Sequence, residues 1–259
     1  MWFASSGKTE KRCFPACNRV IWFMNRNNSL KQKIVWHKMP DASPSIATFT
    51  DDGTLPTSEL LEVLSLQENE HAATLHDPVE HRHYIARRCF QRLFVSQQLS
   101  INIAPDKLAL IHRRDTRPQC ADAPGLNLSF SSSGTTAIAC ASAQYPVGID
   151  IERLRKVENA PSLARRYFNP EEAEALENLP NSQQSLGFLH YWTAKEAGLK
   201  AIGKGIVFGL NTFSIKDRGN LSFDIQGPQN FPQDFNLAYL DIKPKHLIAL
   251  VKMNRVEKI

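Results

Sequence analysis

Long apolar runs are missing from this sequence, and no stretch approaches the roughly 20 residues that a membrane-spanning helix requires. Cysteine is scarce: five occur in 259 residues, at positions 13, 17, 89, 120 and 140, and their spacing makes neither a disulfide framework nor a paired zinc pattern. Cys13 and Cys17 have only the distant His37 to complete a metal set, and read as ordinary thiols. His71, His76, His81 and His83 contain no His-Glu-x-x-His arrangement, so that cluster reads as a solvated helical face. The leading segment, with Trp2 and Phe3 followed by Lys8, Lys11 and Arg12, has no apolar stretch before a cleavage signal, which makes the cytoplasm the expected compartment. No internal repeat is evident. Charge of neither sign dominates: 31 basic against 26 acidic residues leave +5, a balance that favours anionic partners without choosing among a nucleotide, an acidic protein surface and nucleic acid.

What is present centres on Pro146-Val147-Gly148-Ile149-Asp150-Ile151-Glu152. Strand side chains alternate, so Asp150 and Glu152 are expected on one side while Ile149 and Ile151 enter the packing. Two like charges on one face call for a cation between them, and a hard divalent ion suits carboxylate oxygens. Farther on, a helix expected over about 183–202 carries Trp192, Lys195, Glu196 and Lys200, with Gly203 as its natural C-cap. If Glu196 faces Asp150 and Glu152, three carboxylates hold one Mg2+ and leave positions for phosphoryl oxygens. The alternatives are a charged strand edge for the Asp-x-Glu pair and a helix-stabilising ion pair for Glu196 between its lysines.

Elsewhere the spacing predicts a strand at 33–36, a loop or two edge segments over 40–56, and a helix from Thr57 to about Glu70. A stronger helix opens at Asp77-Pro78 and carries Arg82, Arg87, Arg88 and Arg92 on one face, where Arg88 and Arg92 stand one turn apart and suit one anion. Strands are expected at 108–111, 126–130 and 137–142, the last turning back through Gln144-Tyr145-Pro146 into an antiparallel pair with the acid strand. Ser129 to Thr136, rich in small hydroxyls beside Gly134, suits a phosphate nest or a plain turn. Asn169-Pro170-Glu171-Glu172 starts a helix. Strands follow at 206–210, 221–225, 235–242 and 246–253. Helix-then-strands groupings in both halves imply an α+β fold: a pseudo-two-fold arrangement of two similar lobes, each a small, mainly antiparallel sheet packed against a long helix. The lobes are expected at 1–122 and 123–259, the second carrying the acids.

The ordered set Asn127-Leu128-Ser129 through Ser133-Gly134, then Val147-Gly148-Ile149-Asp150-Ile151-Glu152, then Trp192-Thr193-x-Lys195-Glu196-Ala197-x-x-Lys200-x-x-Gly203-x-Gly205, resembles the 4'-phosphopantetheinyl transferases of the long, monomeric, two-lobed type. The resemblance covers about residues 57–210. It implies Mg2+ and the coenzyme A diphosphate on Asp150, Glu152 and Glu196, with Glu196 helping to deprotonate the serine of an acyl or peptidyl carrier protein. It implies that Lys200 assists the phosphates, that Lys195 contacts phosphate or orients the partner, and that Arg88 and Arg92 lie near the coenzyme. Thr116-Arg117-Pro118 is similar to the family's Gly-Lys-Pro turn, implying an adenosine phosphate contact at Arg117. The chain departs from the family where Ser-His-Ser is usual. Aligned through Ser133-Gly134, Ser132 takes the place of the histidine that touches the 3'-phosphate, and Ser132 and Ser133 are the expected coenzyme contacts there; aligned through Asn127-Leu128-Ser129, Phe130 takes that place. The resemblance implies an acidic carrier as partner, no nucleic acid, no membrane and a monomer. A degenerate binder without transfer, and a metal-dependent nucleotide or diphosphate hydrolase, are the alternatives.

Overall fold

A computed structural model describes residues 28–39, 44–99, 102–113, 116–205, 208–219, 222–227 and 235–253. Cys13 and Cys17 lie outside them, as do Ile206 and Val207 of the strand expected at 206–210; Leu210–Thr212 is instead a short 3-10 turn.

The chain is α+β and two-lobed. In the first lobe, strands β1 (Ile34–His37), β2 (Ser45–Thr50), β5 (Asn127–Ser133) and β6 (Thr136–Ser142) form one antiparallel sheet in the order β1-β2-β6-β5. Short strands β3 (Leu110–Ile111) and β4 (Gln119–Cys120) pair separately. The second lobe holds β7 (Val147–Arg153), β10 (Phe235–Tyr239) and β11 (His246–Met253) in the order β10-β11-β7, with β8 (Ser214–Gly219) and β9 (Ser222–Gln226) as a hairpin. The division expected after residue 122 is crossed by the first sheet, because β5 and β6 follow it in sequence and β6 pairs with β2 on one side and β5 on the other.

Each sheet carries one long helix. Helices α1 (Asn28–Gln32), α2 (Thr57–Leu61), α3 (Leu66–Ala73) and α4 (Pro78–Gln98) belong to the first lobe, where the buried face of α4 (Ile85, Cys89, Phe90, Leu93) packs with Ala47, Phe49, Ala137 and Ala139. Asp77 caps α4 through Glu80 N at 2.7 Å, as Asp-Pro predicts. The single helix expected over 57–70 is two, because Ser65 and Glu68 form a capping box that starts α3 afresh. Helices α5 (Ala160–Tyr167), α6 (Pro170–Glu177) and α7 (Asn181–Ile202) cover the second sheet; the expected start at Asn169 is realised by another capping box. The segment 40–56, expected as loop or edge, supplies β2, an interior strand: its Ser/Thr/Ala composition reads as loop, yet Ile46, Ala47 and Phe49 are buried.

The hairpin expected between β6 and β7 does not form. β7 pairs with β11, and the sheets instead meet face to face through Ile46, Ile138, Cys140, Val147, Ile149, Ile151, Ile248 and Leu250. Odd residues of β7 thus fill the core between the sheets, and the even ones, Gly148, Asp150 and Glu152, face the other way.

Candidate active site

The opposite face of β7 meets α7 at Gly148. A Cβ built there would lie 1.9 Å from the carbonyl oxygen of Ala197 and 2.5 Å from the amide nitrogen of Ala201, so only glycine allows strand and helix backbones this close. Ala197 and Ala201 are one turn apart on the contacting face. Glu196 and Lys200, each one residue earlier, emerge beside that contact, next to Asp150 two residues along β7.

Asp150 is only 4% exposed. Its Oδ1 accepts from Lys200 Nζ at 2.6 Å and from Ser131 Oγ at 2.6 Å, and Lys200 Nζ lies 3.0 Å from the same hydroxyl. Its Oδ2 is enclosed and has no hydrogen-bond partner. A row of β5 serines secures this edge of β7: Ile149 N donates to Ser129 Oγ and Arg153 N to Ser133 Oγ, each at 3.0 Å. Side chains thus satisfy backbone donors that no neighbouring strand reaches. Burial raises the proton affinity of Glu196, with Asp150 and Glu152 adding to it and Lys200 opposing. Glu152 is raised in the same way, by burial and then by Asp150. The three carboxylates therefore feel one another's charge, with the Lys200 ammonium among them.

As the side chains stand, no group of three or more His, Cys, Asp or Glu among the described residues is gathered closely enough to hold a metal ion. The donor chemistry nevertheless fits a hard divalent cation: three carboxylates, one with a buried, unpartnered oxygen. Lys200 holds the other Asp150 oxygen, Oδ1, and leaves Oδ2 unengaged.

A cleft of about 200 Å³ opens at this cluster, lined by Thr116, Arg117, Ser129, Phe130, Glu196 and Lys200. Arg117 reaches it from the turn before β4. Its guanidinium donates to the carbonyl oxygen of Ala201 at the end of α7 and lies 3.4 Å from Asn127 Oδ1, while Nε is enclosed without a partner. This places a fixed cation at a helix C-terminus, where the dipole favours it. Gly203 caps the helix in the left-handed conformation (φ 73°), as expected.

A second cavity, of about 350 Å³, lies beyond Phe130, which walls both, and is lined by Tyr84, Arg87, Arg88, His112, Ser131 and Ser132. Arg88 points here, and Ser132 Oγ lies 3.5 Å from Arg87 Nη1. Arg87 and His112 carried no signal in the sequence that marked them out; a basic helix face and a lone histidine before a basic turn do not announce a shared cavity.

Two expected coenzyme contacts are corrected. Lys195 is fully buried on the other side of α7, paired with Glu172 at 2.8 Å and donating to the carbonyl oxygens of Leu210 and Phe213. Its position next to Glu196 turns it about 100° around the helix and away from the cleft. Arg92 is also interior. It pairs with Glu68 and donates to the carbonyl oxygens of Pro105 at 2.6 Å and Leu108 at 3.1 Å, so it fastens α4 to the following turn instead of facing an anion with Arg88. Arg82 likewise is ion-paired, to Asp51. The hydroxyl of Ser133, expected at the coenzyme, accepts from Arg153 N and lies 3.5 Å from Glu152 Oε2.

Residues 146–251 match the pattern of the 4'-phosphopantetheinyl transferase superfamily. The 4'-phosphopantetheinyl transferase HetI of Nostoc sp. is 33% identical over 151 residues, 57% of this chain and 63% of that protein. A 4'-phosphopantetheinyl transferase of Bacillus subtilis is 34% identical over 111 residues, 42% of this chain and 48% of its own length. The chain thus spans between about half and just under two thirds of these curated relatives. A crystal structure of holo-ACP-synthase from Plasmodium yoelii superposes with a TM-score of 0.33 at 16% identity, over 42% of this chain and 94% of that one.

Proposed function

We propose that this chain, which belongs to the 4'-phosphopantetheinyl transferase superfamily, transfers the 4'-phosphopantetheine arm of coenzyme A to a serine of an apo acyl or peptidyl carrier protein and releases adenosine 3',5'-bisphosphate. The observation that carries this reading is the cluster at the cleft: Lys200 bridging Asp150 and Ser131 at 2.6 and 3.0 Å, with Glu196 of raised proton affinity on the same wall.

The serine oxygen forms a bond to the β-phosphorus while the bond from that phosphorus to the departing bisphosphate breaks. Glu196, whose burial favours the protonated state, takes the serine proton. Lys200 neutralises charge that builds on the phosphoryl oxygens, and Arg117 holds a second fixed positive charge at the cleft. Mg2+ held by Asp150, Glu152 and Glu196 would supply Lewis-acid neutralisation of the diphosphate. Asp150 and the β5 serines keep Lys200 and the acid strand in place around that chemistry. The net charge of +5 suits an acidic carrier whose approach is steered by charge and weakens with salt. The reading carries with it a monomer working in the cytoplasm. Among the described residues no helix is long and apolar enough to cross a membrane.

Intact-mass spectrometry of apo acyl and peptidyl carrier proteins, incubated with this protein, coenzyme A and Mg2+, tests the proposal. The expected result is a gain of one phosphopantetheine arm that disappears with EDTA. Consumption of coenzyme A with no carrier present, and no gain on any carrier, overturns it in favour of a hydrolase.

A further inference from the structure

Arg117 belongs to the first lobe, in the turn before β4, yet its guanidinium ends on the last turn of α7 in the second. The reason lies in the helix end. The last four carbonyl groups of a helix have no partner within it. Two of those in α7 are taken by the glycine cap, where Gly203 N donates to Lys200 O at 3.1 Å and Lys204 N to Leu199 O at 2.9 Å. The carbonyl oxygen of Ala201 comes next, and Arg117 Nη2 donates to it. Arg117 Nη1 lies 3.4 Å from Asn127 Oδ1, and the same amide group donates through Nδ2 to the carbonyl oxygen of Ser142 at 3.1 Å. One line of polar contacts thus runs from the end of β6, through β5 and the turn before β4, to the end of α7. The side chain also lies against the cap itself: a methyl group built on Gly203 would sit 3.6–3.7 Å from Arg117 Nη2, Cβ and Cζ. Burial lowers the proton affinity of the guanidinium, and no acid opposes it. Both terminal nitrogens are engaged by protein and Nε is enclosed, so Arg117 lines the cleft with its charge while its hydrogen bonds serve the fold.

We infer that Arg117 is a positioning residue, which clamps the last turn of α7 to the first lobe and thereby holds Lys200 on Asp150. Lys200 directly precedes Ala201, and its Nζ meets Asp150 Oδ1 of the second lobe at 2.6 Å and Ser131 Oγ of the first at 3.0 Å. A last turn free to fray would carry the ammonium away from both. This role differs from the phosphate contact that the likeness to a Gly-Lys-Pro turn implies. Arginine suits it, because a planar fork reaches two acceptors where an ammonium offers a single point of charge. The consequence for turnover rests on the proposed function, whereas the clamp itself does not.

Two measurements keep the clamp and the function apart. Amide hydrogen exchange is followed by NMR in the full chain. In Arg117→Ala the amides of Gly203 and Lys204 are expected to exchange about tenfold faster, the scale of one charged hydrogen bond, while that of Thr193 in the middle of α7 keeps its rate. Unchanged protection at both positions overturns the clamp whether or not transfer occurs. Transfer kinetics come second. The kcat of Arg117→Ala is expected to fall about tenfold with the Michaelis constant for coenzyme A within about twofold of wild type, because a displaced Lys200 costs turnover more than binding. Placed on Lys200→Met, the same substitution is expected to cost nothing further, since its effect passes through the lysine. An equal loss in both backgrounds, or a Michaelis constant raised tenfold at unchanged kcat, overturns the positioning role. Arg117→Lys keeps a donor for Ala201 and gives up Asn127, so it is expected to recover part of the kcat, and the same two measurements are read on it if Arg117→Ala does not fold.

Discussion

Lys195 and Glu172 meet at 2.8 Å with both side chains shut away from water, one residue along the helix from the acid proposed to take the serine proton. Glu172 also accepts from Ile215 N at 2.7 Å and from Asn169 N at 3.0 Å, so the pair ties α6, α7 and the start of β8 to one point. Burial pushes the two groups in opposite directions, raising Glu172 and lowering Lys195. Neither is favoured as an isolated ion there, and each depends on the other.

Lys195→Met leaves Glu172 buried without its cation and is expected to destabilise the protein by about 3–5 kcal/mol. The Michaelis constant for coenzyme A, measured below the variant's melting temperature, should stay within about twofold of wild type. A rise of tenfold or more in a variant of normal stability would restore Lys195 to the coenzyme site.

Gly148→Ala forces a methyl group into the backbone of α7, 1.9 Å from the Ala197 oxygen. Backbone cannot yield as a flexible side chain does, so a loss of about 3 kcal/mol or more is expected, with α7 displaced from β7. Denaturant titration reads the stability. An unchanged midpoint would mean that the strand and helix do not approach this closely in solution.

Glu196→Gln carries a signed pH dependence. Burial raises the folded-state pKa of Glu196, so the folded chain binds a proton more tightly than the unfolded chain. The associated stability is full below the unfolded value and is lost as pH rises through the folded one. Replacing the acid with an amide removes that loss, so the variant should gain on wild type in stability as the pH is raised from 4 to 8. Transfer should fall by about 10²–10⁴-fold over the same range. A stability difference independent of pH would remove burial as the cause.

Lys200→Met takes the ammonium away from Asp150 Oδ1, where it stands at 2.6 Å. Calorimetric titration of the folded variant with Mg2+ alone should then show tighter binding than wild type, because the cation no longer meets an ammonium beside the acids. Turnover should nevertheless drop by about 10²-fold or more, since the phosphoryl oxygens lose a preorganised cation. Weaker Mg2+ binding in the variant would show that Lys200 does not compete for the acids.

Much of this was legible in residues alone. The parity of Asp150 and Glu152 against Ile149 and Ile151, the cap at Gly203 and the Asp77-Pro78 and Asn169-Pro170 helix starts each rest on a short-range rule, and each stands in the structure. What failed depended on distant partners. β2 is interior because β6 and β1 lie on either side of it, and a Ser/Thr-rich stretch gives no sign of that. Arg92 looked like a ligand for an anion because Glu68, which holds it, is 24 residues away.

The sequence by itself determined that two acids share one strand face and that a charged helix ends in a glycine cap, since both follow from local periodicity. Only the tertiary structure decided which of those charges meet in the cleft. Glu196 and Lys195 are neighbours in the chain yet turn to different sides of α7, and the choice between them was made by Gly148. By lacking a side chain, it lets β7 lie against Ala197 and Ala201 and so fixes which face of the helix looks onto Asp150.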